Sequence, residues 1–131
     1  CNYIDDVYRV AEIFERQRDV EILKKQDYIK EPNYNGYRSL HLDTRIPVYL
    51  SDRTEYVVAE IQLRTIAMDF WASLEHKLKY KKDIKSDVNE ISRELKECAE
   101  EISRLDDKMQ EIHRKINYNN DSASINFELP I

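Results

Sequence analysis

Residues 35–41 read Asn35-Gly36-Tyr37-Arg38-Ser39-Leu40-His41, and Gly36 is the sole glycine among 131 residues. A chain so poor in glycine spends its one residue without a Cβ where the backbone must turn sharply or approach another segment closely. From Tyr37 onward polar and apolar residues alternate, the period of a half-buried strand. Tyr37, Ser39 and His41 fall on one face, with Arg38, Leu40 and Leu42 on the other. A second alternating run follows: Tyr56, Val58, Glu60, Gln62 and Arg64 interleave with Val57, Ala59, Ile61 and Leu63. The connection from Pro47 to Thr54 is short and carries Pro47, Ser51 and Asp52 as turn formers, which predicts antiparallel neighbours. If the polar faces coincide, Tyr37, His41, Glu60, Gln62 and Arg64 converge on one surface.

Outward from these strands, Asp5 or Asp6 caps a first helix running to about Gln17, with Val7, Val10, Ala11 and Phe14 as its apolar stripe. Val20 to Lys24 reads as a short strand. Thr65 caps a helix over 66–81 that buries Ala67, Phe70, Trp71, Leu74 and Leu78. Ile84, Val88, Ile91, Leu95, Cys98, Ile102, Leu105, Met109, Ile112 and Ile116 then recur at spacings of four and three, a heptad seam. Its partner is either the chain's own preceding helix or the same helix of a second copy, making a homo-oligomer. The polar stretch Tyr118-Asn119-Asn120-Asp121-Ser122 should end that helix. The order is helix, strand, strand, strand, helix, helix, divided as a core over 1–82, a heptad helix over 83–117 and a tail over 118–131.

The formal net charge of −5 argues against a stable nucleic-acid binder. Two cysteines, Cys1 and Cys98, give neither a disulfide framework nor a metal spacing, which suits a reducing compartment and a cytoplasmic location. No apolar run approaches membrane-spanning length. With one glycine there is no glycine-rich phosphate loop, so any bound phosphates must be held by side-chain cations and Mg²⁺.

The motifs agree in order with one family. Asp27-Tyr28-Ile29-Lys30-Glu31-Pro32 leads into residues 35–41; Glu60-Ile61-Gln62-Leu63-Arg64-Thr65 is followed by Met68-Asp69-Phe70-Trp71-Ala72, Glu75-His76 and Tyr80-Lys81. This order resembles the synthetase domain of the RelA/SpoT family, in particular the small alarmone synthetases, over about residues 1 to 82. The resemblance implies an α+β domain, a mixed β-sheet flanked by helices in a nucleotidyltransferase-like synthetase fold, here with a long C-terminal heptad helix. It implies transfer of pyrophosphate from ATP to the 3′-hydroxyl of GDP or GTP, making (p)ppGpp and releasing AMP, with Mg²⁺.

The same resemblance assigns roles. Tyr37 matches a tyrosine that stacks on guanine, Asn35 and Ala72 match positions along the base edge, and His41 a histidine near the acceptor phosphates. Glu60 matches the acidic residue that binds Mg²⁺ and helps activate the 3′-hydroxyl, chemistry that a hard, basic carboxylate suits. Gln62 and Arg64 share its strand face and are expected beside it or at phosphates. Asn33 stands where many members have a lysine after the proline, and Lys24-Lys25-Gln26-Asp27 keeps only part of a basic signature. Phosphate contacts are therefore expected from Lys24, Lys30 or Arg38, and the choice between GDP and GTP stays open. Glu75 and His76 match a family motif and equally suit a helix surface pair. Family members carry an ATP-holding half and an Asp-x-x-Gly-x-Arg strand before this point, so the chain reads as a fragment keeping the guanine-nucleotide half, inactive by itself. Two alternatives remain: a toxin-like relative acting on tRNA or adenosine nucleotides, and a catalytically silent oligomerisation module.

Overall fold

The computed structural model describes residues 1–79 and 88–125, with side chains placed through 78 and from 88 to 120. Tyr80 and Lys81 of the quoted motif, Ile84 of the seam, the core boundary at 82/83 and residues 126–131 lie outside the described residues. The elements are α1 (Ile4–Arg16), β1 (Glu21–Asp27), β2 (Leu40–Tyr49), β3 (Thr54–Leu63), α2 (Ile66–Lys79) and α3 (Val88–Ile125). An α+β arrangement with a long C-terminal helix results. The sheet order is β1-β2-β3, and both ladders are antiparallel. Among the described residues the sheet is thus antiparallel throughout and not the mixed one expected; Cys1, outside any strand, donates from its N-terminal nitrogen to the Arg64 carbonyl at 3.0 Å and accepts from the Ile66 N–H at 2.9 Å. That is the bond pair a parallel strand would make beside the end of β3.

Several boundaries differ from the sequence expectation for local reasons. Tyr3, not an aspartate, takes the N-cap of α1; Asp6 sits a turn inside and its carboxylate accepts the Tyr3 N–H at 3.2 Å. Strand β1 runs on through Lys25, Gln26 and Asp27 because these pair with Leu42, His41 and Leu40, so the ladder overrides a polar composition. Pro47 lies inside β2 opposite Tyr56, past the last β1 pair at Arg45, where the strand has one open edge and a missing N–H is tolerated. The turn itself is closed by the Leu50 N–H donating to the Arg53 carbonyl at 2.8 Å. Helix α3 continues through Asn119 and Asn120 to Ile125, since that stretch contains neither glycine nor proline and its polar residues lower helix propensity only slightly.

Two apolar clusters form. Val7 and Ala11 of α1 close over Leu40 and Leu42 on one sheet face, with Tyr8, Phe14, Ile29, Ile61 and Leu63 around them. Trp71 and Ala72 of α2 meet Ala99 of α3, flanked by Tyr37, Leu95 and Ile102. Helix α2 is rotated from the expected stripe: Met68, Trp71 and Ala72 are buried, while Phe70, Leu74 and Leu78 are exposed. The seam of α3 divides likewise, Leu95 and Ile102 packing inward while Val88, Leu105, Met109, Ile112 and Ile116 face outward.

Gly36 serves both of the uses that a lone glycine has. Its φ is +94°, a region L side chains avoid, and its N–H closes a turn onto the Asn33 carbonyl at 2.9 Å. A Cβ there would also stand 2.8 Å from the Ala99 Cβ of α3. The loop before β2 is thus pressed against the long helix.

Candidate active site

The pairing register decides which side chains share the uncovered sheet face. Across the strands Gln26, His41 and Gln62 form one row, and Lys24, Asp43 and Glu60 the next. Cross-strand partners project to the same side, so both rows are polar on the face that α1 leaves open. The intervening rows, Lys25–Leu42–Ile61 and Asp27–Leu40–Leu63, lie on the α1 side.

The Tyr37 hydroxyl is the hub of this face. It donates to Gln62 Oε1 at 2.9 Å, receives Arg64 Nη2 at 2.9 Å and lies 3.0 Å from His41 Nε2. With its one hydrogen given to Gln62, the third contact has His41 as donor. Arg64 also reaches Gln62 Oε1 and, through Nη1, Asp69 Oδ1 at 3.1 Å. Gln62 Nε2 donates to Glu60 Oε1 at 2.5 Å, and that oxygen stands 3.6 Å from His41 Nδ1, an ion pair when the imidazole is protonated. Burial pulls the Arg64 guanidinium pKa down, but its bonds to Tyr37 and Asp69 outweigh this and the net shift is upward. Arg64 is therefore a fixed cation, its charge centre 5.2 Å over the Tyr37 ring.

Beside the hub, Tyr37, Arg64, Ala72, Ser73, Glu75, His76 and Lys77 line an open cleft of about 420 Å³. Asn35 shapes its approach: its Oδ1 accepts the Tyr37 N–H at 3.0 Å, a local turn that sets where the ring emerges. Glu75 and His76, suited by sequence alone to a surface pair, are part of this wall. The three candidate phosphate cations scatter. Lys24 is exposed on the open face, in the row of Glu60. Lys30 holds its ammonium 5.6 Å from the Tyr8 ring on the α1 side. Arg38 is buried beneath the loop, giving Nη2 to the Ala99 carbonyl at 2.9 Å, so it does not join the cluster.

Three residues escaped sequence reading. Tyr28 sets its ring edge-on to both Tyr37 and His41, with centroids 6.1 and 5.3 Å away. Asp69 anchors Arg64. Asp43 lies directly opposite Glu60, a like-charge pair that alternation alone would have placed once the register was known.

A fixed cation, an aromatic ring and a half-exposed carboxylate on one open sheet face can hold a base, an anion and a hydroxyl side by side. On an antiparallel sheet flanked by helices, that is the layout of a synthetase-type α+β domain. The chain belongs to the RelA/SpoT family: residues 1–85 match the region found in RelA / SpoT proteins. It is 51% identical over 117 residues to GTP pyrophosphokinase YwaC of Bacillus subtilis (strain 168), spanning 88% of this chain and 55% of that protein. The structure of small alarmone synthetase 2 from Bacillus subtilis matches 88% of this chain and 62% of its own with a TM-score of 0.82 at 50% identity. Small alarmone synthetase 1 from the same organism, solved with its product pppGpp, matches with a TM-score of 0.81 at 36% identity, over 89% of this chain and 59% of its own. The chain thus spans about half the length of the curated relatives it matches.

Proposed function

We propose that the protein to which this chain belongs is a cytoplasmic GTP/GDP pyrophosphokinase that moves the β,γ-pyrophosphoryl group of ATP onto the ribose 3′-oxygen of GDP or GTP. The oxygen–phosphorus bond to the β-phosphorus forms, the bond between that phosphorus and the α–β bridging oxygen breaks, and AMP leaves. Tyr37 supplies the face on which guanine stacks beside Ala72, and Arg64 and His41 supply positive and donor groups for the acceptor's phosphates. Glu60 accepts the 3′-hydroxyl proton. It suits the task because its side chain is 50% exposed yet its Oε1 is oriented by Gln62. The observation that carries the reading is this chain of bonds from Tyr37 through Gln62 to Glu60, which ties a base platform to a carboxylate.

Glu60 and Asp43 offer hard oxygen donors on adjacent strands, and the described residues contain no group of three or more metal-binding side chains. That set fits Mg²⁺, which commonly takes one or two carboxylates and completes its shell with substrate phosphates and water. Bound there, the ion would neutralise charge developing on the transferred group. Among the described residues no helix is long and apolar enough to cross a membrane.

Glu60→Gln in the full-length parent is the test. Formation of 3′-pyrophosphorylated guanosine nucleotide should fall at least roughly a hundredfold, the usual worth of a positioned general base. Calorimetric affinity for GDP should change little, because the charge acts mainly in the transition state. Near-normal synthesis would remove Glu60 from the mechanism.

A further inference from the structure

The two residues that carry the acceptor cleft, Tyr37 and Arg64, each have a sequence neighbour that turns away from the cleft toward α3. Thr65, next to Arg64, donates its hydroxyl to Asp106 Oδ2 at 2.5 Å. The same hydroxyl accepts the Met68 N–H at 3.2 Å, so it also caps the start of α2. Arg38, next to Tyr37, is held against α3 by its bond to the Ala99 carbonyl, two turns before Asp106, and its guanidinium and the Asp106 carboxylate attract each other. Arg38, Thr65 and Asp106 are all buried, at 6%, 0% and 6% exposure. A charge kept in such a place costs free energy unless its contacts are fully used.

We infer that Asp106 of α3 is a positioning residue for the acceptor site, holding the Arg64–α2 junction through Thr65 while Arg38 holds the Tyr37 loop to Ala99 of the same helix, so that the Tyr37–Arg64 bond stays at its 2.9 Å geometry. The inference rests on the acceptor reading of the Tyr37 cleft. Asp106 acts through Thr65, whose hydroxyl hydrogen bond it accepts. Tyr37 lies outside β2 and Arg64 beyond the end of β3, so neither has the full ladder to hold it. The gap between the two segments is closed by α3, and the contact of Gly36 with Ala99 presses the loop onto the same stretch of helix.

The experiment uses the full-length parent with Asp106→Asn, which keeps an acceptor for Thr65 but loses the charge, and Thr65→Val, which loses the hydroxyl, with Thr65→Ser as the conservative rescue. Initial rates are measured with GDP and with ATP varied in turn. Both disruptive variants should raise the GDP KM roughly tenfold, the scale of one charge-assisted hydrogen bond, and leave the ATP KM unchanged, while Thr65→Ser should keep the wild-type GDP KM. In an Arg64→Ala background, Asp106→Asn should have little further effect on kcat/KM for GDP, because the two act as a unit. A purely structural role would instead lower the active fraction and depress both substrates alike. That result, full additivity with Arg64→Ala, or an unchanged GDP KM in a competent enzyme overturns the positioning role. Should Asp106→Asn not fold, the Thr65→Val and Thr65→Ser pair decides alone. A wild-type parent that makes no 3′-pyrophosphorylated guanosine nucleotide overturns the acceptor reading instead.

Discussion

Tyr37 presents two separable chemistries, a ring and a hydroxyl. Removing the ring by Tyr37→Ala should weaken GDP binding by about 1–3 kcal/mol, the range for aromatic stacking against bases. Tyr37→Phe keeps the ring but breaks the contacts to His41, Gln62 and Arg64. It should cost about 0.5–1.5 kcal/mol, the net worth of a hydrogen bond, and should lower turnover more than affinity because Gln62 then loses its link to the ring. Calorimetry and initial rates on the parent and both variants separate these effects; equal GDP affinity in all three would make the tyrosine a packing residue. At this scale much of the cluster was readable before any coordinates. Period two put His41 on one polar face and Glu60 and Gln62 on another, and the antiparallel pairing joined them; Tyr37 and Arg64 reach the same cluster from just outside the strands. Arg38 and Lys30 were not readable: where a long cation ends depends on what packs over it, and α3 and α1 decide that from distant sequence.

The long helix shows the same limit for a whole element. Its existence and period were plain, yet periodicity does not tell which part of an apolar stripe meets the chain's own core. Its inner face proves to be Leu95, Ala99, Ile102, Asp106 and Gln110, partly polar and turned to one side of the seam. Leu105, Met109, Ile112 and Ile116, 45–55% exposed, leave an apolar row on the surface, and we propose that a second copy of the chain covers it. A second copy lying antiparallel on this row is centred between Met109 and Ile112, because Leu95 and Ile102 pack against the chain's own α2. In the parent, Met109→Glu should weaken self-association in sedimentation, since it would set a charge at that centre. A monomer throughout the accessible concentration range would exclude the pairing.

In the molecule as a whole, the two apolar clusters are joined by polar groups as well as by packing. At one end of α3 Arg114 holds Asp5 with contacts of 2.9 and 3.1 Å, and His113 stacks on Tyr3 at 4.0 Å. Deeper in, Arg38, Thr65 and Asp106 form the buried joint. Burial pushes the Asp106 carboxyl up from its ordinary 3.8, while Thr65 and Arg38 pull it partway back. Between the ordinary and the raised value, the native chain keeps a proton that the unfolded chain has released. Stability contributed by this group therefore falls as pH rises through that window and stays lower above it. Arg38→Leu removes one of the two opposing pulls, so the window widens upward. It should destabilise by about 1–3 kcal/mol, as expected when a buried acceptor loses a partner. The loss should be greater at neutral than at mildly acidic pH, and adding Asp106→Asn should abolish that difference. Urea unfolding of the single and double variants at the two pH values measures it. Equal destabilisation at both would mean that Arg38 acts only through packing and its bond to the Ala99 carbonyl, leaving its charge idle in the joint between sheet and helix.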